Sequence, residues 1–115
     1  MKKTIKKLDN NVVKALTKVC ERLKDKNPHF LWLTHTADYA NFPNSLLVYF
    51  VFSDRNAVSE FNCSDEKDRV IKHMHSELLK AGVLLKQPKR HVFVDSEEAC
   101  ELEHQGDWAA RIRKQ

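Results

Sequence analysis

Leu46-Leu47-Val48-Tyr49-Phe50-Val51-Phe52 runs for seven residues without interruption by a charged or amide side chain, and the next position is Ser53. A strand that is apolar on both alternating faces is a central one, covered on both sides or covered on one and packed at the other. The run is far short of the roughly 20 apolar residues that a membrane helix needs. The rest of the chain must therefore supply its neighbours and its cover.

Upstream, Phe30 to His35 is rich in aromatic and β-favouring residues and reads as a second strand. Between the two, Thr36 to Ser45 holds Asn41, Pro43, Asn44 and Ser45, the chemistry of a turn, and its length suits an antiparallel pair. Earlier still, Val12, Val13, Leu16, Val19, Cys20 and Leu23 recur at three- and four-residue steps, which predicts an amphipathic helix from Leu8 to Leu23. Asp9, Asn10 or Asn11 can cap its start, and Pro28 stands where it should stop. Residues 1–7 are expected to form a basic N-terminal arm carrying Lys2, Lys3, Lys6 and Lys7. That arm leads into the amphipathic pattern rather than into an apolar stretch, so no signal peptide is expected.

Downstream, Asp54, Arg55 and Asn56 end the central strand, and Ala57 to Asn62 add one helical turn. Ser64 offers a cap to a helix from Asp65 to Ala81, whose apolar face is Val70, Ile71, Met74, Leu78 and Ala81 and whose C′ residue is Gly82. Val83 to Leu85 and His91 to Val94 flank Pro88, which divides a short extended piece from a third strand. An acidic helix follows from Ser96 to His104, capped by Asp95 or Ser96 and stopped by Gly106. Residues 105–115 form a C-terminal tail in which Asp107 caps a last turn carrying Trp108, Arg111, Ile112, Arg113 and Lys114. The expectation is one small α+β domain over residues 1–115. Its order is helix, strand, strand, helix, strand, short helix, with a three-stranded sheet packed by two helices.

Composition removes several function classes. The chain has only two glycines, Gly82 and Gly106, standing 24 positions apart. A phosphate cradle of the Walker or dinucleotide type needs several glycines close together, so neither exists here. The three cysteines form no CxxC pair, which suggests neither a disulfide framework nor a zinc knuckle and fits a reducing cytoplasm. The net charge of +4 conceals an alternation: +6 over residues 1–26, −4 over 27–66, +4 over 67–95 and −2 over 96–115.

Catalytic and metal constellations are weak. His73 and His75 lie two apart, so on a helix they point about 200° away from each other and cannot share one ion. Cys100 and His104 share a helical face but lack a second ligand pair, and a packed cysteine beside an exposed histidine is the plainer reading. Cys20, Cys63 or Cys100 as nucleophile, and His35 with Asp38 as base and orienter, are the thinnest enzyme readings, because no spacing brings them together. Glu97, Glu98, Glu101 and Glu103 read as one solvated acidic helix rather than a catalytic pair. No enzyme, cofactor or metal is therefore expected.

The basic residues have more to offer. Lys7, Asn11, Lys14, Lys18 and Arg22 line one side of the first helix, and Lys80, Lys86, Lys89 and Arg90 cluster around Gly82 and Pro88. Such cations neutralise phosphates with release of counterions and give affinity without reading sequence. A solvated face is the alternative for both groups. Tyr39 and Phe42, in the loop between the first two strands, and Trp108 in the tail are the candidates for contact with another protein chain.

The order of elements resembles the KH-like arrangement of the ribosome-binding factor A family. The likeness runs from Leu46-Leu47-Val48-Tyr49-Phe50-Val51 through Arg69, Ile71 and Leu78 to Pro88, His91-Val92-Phe93 and Asp95-Ser96. That resemblance implies a ribosome or RNA partner. The phrases Trp32-Leu33-Thr34-His35, Tyr39-Ala40-Asn41-Phe42-Pro43, Lys86-Gln87-Pro88-Lys89 and Gly106-Asp107-Trp108-Ala109-Ala110-Arg111 are also similar to a small bacterial family sometimes labelled Fis-type transcriptional regulators. The expectation is a non-enzymatic cytoplasmic bacterial protein that contacts RNA, ribosome or DNA backbone. Its alternative is a protein-interaction or regulatory module, homodimeric or not, with no nucleic-acid role.

Overall fold

The computed structural model describes residues 2–113 of the chain, with side chains from Ile5 onward. Lys114 and the end of the expected tail lie outside the described residues. The first helix, α1, spans Lys2–Lys26 and so absorbs the expected basic arm. Asp9, Asn10 and Asn11 consequently sit inside the helix instead of capping it. Its inner face is Val12, Ala15, Leu16, Val19 and Leu23, all buried. The chain leaves the helix at Asn27, whose backbone and side-chain N–H groups both donate to the Leu23 carbonyl, at 2.9 and 3.1 Å, just ahead of Pro28.

Three strands form the sheet: β1 (Phe30–Thr36), β2 (Leu47–Phe52) and β3 (Val92–Ser96). β2 lies in the middle, antiparallel to β1 and parallel to β3. The apolar run marked this position, because only a strand covered on both faces can carry no polar side. Val48, Phe50 and Phe52 face the helices, while Tyr49 and Val51 are buried on the opposite face. A parallel neighbour requires a crossover, which α2 (Arg55–Asn62) and α3 (Asp65–Lys80) supply. α2 is longer than the single turn expected, since Asp54 caps it by accepting from the Ala57 N–H at 2.8 Å.

α3 ends as its sequence predicts. Gly82 adopts φ +84°, the Val83 N–H donates to the Leu78 carbonyl and the Gly82 N–H to that of Leu79, the crossed pair of a Schellman motif. Val83 to Leu85 is extended but unpaired, burying Val83 and Leu85 and exposing Leu84. A 3-10 turn at Pro88–His91 takes the place of the expected strand start, so β3 begins at Val92. α4 (Glu97–His104) is capped by Ser96, which accepts from the Ala99 N–H at 3.0 Å, and α5 (Trp108–Arg113) follows a turn at Gln105 and Gly106.

α1 and α3 cover one face of the sheet, and Val12, Leu16, Val19, Phe50, Phe52, Met74 and Leu78 meet there in the core. Over the other face, α5 sets Trp108 edge-on to Trp32 at 4.8 Å and Arg111 against Asp95. No helix among the described residues is long and apolar enough to cross a membrane.

Candidate nucleic-acid interface

α1 and α3 lie side by side, and a groove of about 220 Å³ runs between them, lined by Asn11, Lys14, Ala15, Lys18, Glu77, Lys80 and Ala81. Helical spacing explains the convergence. Asn11, Lys14 and Lys18 follow one another at three- and four-residue steps on α1, and Glu77 and Lys80 are three apart on α3. At the floor, Glu77 is 8% exposed. Its carboxylate lies 3.6 Å from Lys18 Nζ, 3.4 Å from Lys80 Nζ and 3.4 Å from His73 Nε2. Burial alone would raise its pKa, but Lys80, Lys18 and His73 together hold it below the usual carboxylate value. Three ammonium groups thus surround one carboxylate, and the Lys18 and Lys80 side chains remain 64% and 69% exposed.

The remaining expected cations divide. Lys7 is exposed two turns before Lys14 on the same stripe. Arg22 is committed inside the chain, since it donates to Glu66 at 3.2 Å with both side chains mostly covered, so it does not belong with the outward cations. The stretch from Lys80 to Arg90 is not a single patch. Lys89 lies 3.5 Å from Asp68, twelve residues before Lys80 on α3, which places the two lysines about 18 Å apart along the helix axis. Lys86 and Arg90 instead line a separate depression of about 320 Å³ with Asn44, Leu47, Gln87 and His91. The 3-10 turn causes this division by folding the loop back along α3.

The three expected protein-contact residues are half-buried and spend their polar atoms within the chain. The Tyr39 hydroxyl donates to Asp9 of α1, its ring lies 5.0 Å from that of Phe42, and Phe42 packs against the core. The Trp108 indole donates to Glu97 at 3.2 Å, and Trp32 donates to the same carboxylate at 2.7 Å.

The thin catalytic readings resolve in the same way. His35 lies 3.4 Å from Asp9, whereas Asp38 is spent capping the 3-10 turn Tyr39–Asn41 through the Ala40 N–H. Burial pushes the Cys100 thiol up, away from nucleophile chemistry, and His104 Nδ1 is taken by Arg111. Among the described residues no group of three or more His, Cys, Asp or Glu side chains is placed to hold a metal ion. α4 is not the solvated acidic helix expected. Glu97 holds both tryptophans, Glu98 accepts from the Arg55 N–H, and Glu103 pairs with Arg55 and Arg111.

Two motif comparisons narrow the mode of contact. A KH module clamps RNA backbone with a GXXG loop, while the turn between α2 and α3 reads Asn62-Cys63-Ser64-Asp65 and both glycines terminate helices. α4 and α5 have the brevity of a helix-turn-helix, but α5 turns Trp108 and Arg111 onto the sheet and leaves no recognition face. Comparison with known proteins finds no matching family model, no matching curated protein and no matching solved structure.

Proposed function

We propose that this chain is a non-enzymatic cytoplasmic protein that binds the phosphate backbone of a nucleic acid, free or within the ribosome, through the groove between α1 and α3. The observation that carries this reading is the convergence of Lys14 and Lys18 from α1 with Lys80 from α3 on one depression. Lysines are compact, strongly hydrated charges on flexible stems, so they can turn from Glu77 to an incoming phosphate without moving the backbone. With no glycine cradle, contact is made by side chains alone and reads charge rather than base sequence. Lys86 and Arg90 extend the same chemistry at a second point of contact.

Fluorescence anisotropy with a labelled 20-base-pair duplex and with an RNA of equal length tests this between 50 and 200 mM salt. Three phosphate contacts predict a log–log salt slope of about −2.7 on duplex DNA. The combined Lys14→Ala, Lys18→Ala, Lys80→Ala variant should lose most of that slope and at least tenfold in affinity. Absence of binding at 50 mM salt, or binding that ignores salt, overturns the reading.

A second reading, a protein-interaction module, is favoured by a different observation. β1 is a seven-residue edge strand, and no backbone hydrogen bond beyond its pairing with β2 is recorded for Leu31 to Thr36.

A further inference from the structure

We propose that the outer edge of β1 pairs with β1 of a second copy of this chain, antiparallel about a two-fold axis, joining two three-stranded sheets into one of six strands. The inference rests on the interaction reading and is independent of phosphate contact, because the two features use opposite flanks of α1. Lys14 and Lys18 look toward α3. Val13, Thr17 and Cys20 look toward β1, where they form with Leu16, Leu33 and His35 the lining of a depression of about 270 Å³ beside the strand.

An edge strand offers a row of unpaired N–H and C=O groups, and proteins usually blunt it with lysine, proline, inward charges or short length. β3, at the other edge, is only five residues long and has α2 and the 3-10 turn packed against it. β1 lacks these defences. It reads Phe30-Leu31-Trp32-Leu33-Thr34-His35-Thr36, with no proline and no Asp, Glu, Lys or Arg. A bulge at Leu31, where the register passes from Phe30↔Phe52 to Trp32↔Val51, bends only its beginning and leaves Trp32 to Thr36 in regular pairing.

Two features specify a second copy as the occupant. A two-fold axis sets each central residue near its own image, so any charge on the strand would meet a like charge; the absence of acidic and basic side chains on β1 removes that repulsion. Flanking charges are also complementary. Asp9 stands beside His35 at the end of β1, and Lys24 lines the depression from the other end of the same α1 flank. Antiparallel pairing therefore carries Lys24 of each copy toward Asp9 of the other. Leu33 of the second copy would close over Val13, which is 44% exposed, and bury apolar surface now facing water.

Sedimentation velocity on the full chain between about 10 and 200 μM tests this. The wild type should give twice the 13.5 kDa chain mass. Thr34→Lys and Thr34→Glu should each sediment as monomers with unchanged far-UV circular dichroism, while an equimolar mixture of the two restores the dimer. Leu84→Lys, which adds the same charge at an exposed site away from the strand, should leave the dimer intact. A wild-type monomer throughout that range overturns the proposal. So does a dimer that survives Thr34→Lys, although that result would leave an interaction module pairing through another surface.

Discussion

Glu77 sets the behaviour of the basic groove, because a buried carboxylate already occupies the position that a phosphate oxygen would take. Its partners Lys18 and Lys80 are largely exposed, and exposed pairs of this kind contribute only about 0–1 kcal/mol to stability. Glu77→Gln should therefore change the melting temperature little while releasing both lysines. The expected result is tighter binding to the labelled duplex and a salt slope steeper by up to about 0.9, one further phosphate neutralised. A weaker or unaltered slope would mean that the carboxylate aligns the lysines rather than competing for them. Glu77 also marks where sequence reading stops. Its spacing from His73 and Lys80 is visible along α3, but Lys18 comes from another helix, and no periodicity pairs residues across that gap.

At the scale of elements, the central position of β2 and the end of α3 were legible because each follows from a local rule. An unbroken apolar run belongs between two layers, and a glycine after the last apolar turn takes the left-handed cap. α4 and α5 were not legible, since acidic residues in a row look solvated until their partners are known. Arg111 supplies the link. It donates to Asp95 at 2.9 Å through Nη2, and the two side chains are only 12% and 14% exposed. Removing one member of such a covered pair strands the other charge, at a cost of about 2–4 kcal/mol. Arg111→Ala should lower the melting temperature and release α5 from the sheet. Trp32 and Trp108, the only two tryptophans, share Glu97 beneath that helix, so intrinsic fluorescence reads the release directly as a red shift. Unchanged emission would show that α5 is held by the indoles alone.

Across the whole molecule, the basic and acidic alternation of the sequence becomes a set of internal bonds, and those bonds determine how the fold responds to acid. Asp9 draws Tyr39, and with it the loop after β1, onto α1; Glu77 draws α1 and α3 together. The Tyr39 hydroxyl bond outweighs burial and, with His35, holds the Asp9 carboxyl below its ordinary value, as the surrounding cations do for Glu77. A carboxylate whose pKa is lower in the folded than in the unfolded chain stabilises the fold above its unfolded value. That contribution is lost as pH falls through the lowered folded value. Stability from these two groups should therefore be constant from neutral pH down to about 5 and fall only below about 4, where unfolded carboxylates take up protons. Thermal melts at pH 7, 5 and 3 check this against the Asp9→Asn, Glu77→Gln double variant, which cannot titrate at either position. The variant should start from a lower melting temperature at pH 7 yet lose less between pH 5 and pH 3 than the wild type. An equal acid loss in both proteins would place the acid-sensitive bonds elsewhere, with Asp95 beneath α5 as the next carboxylate to replace.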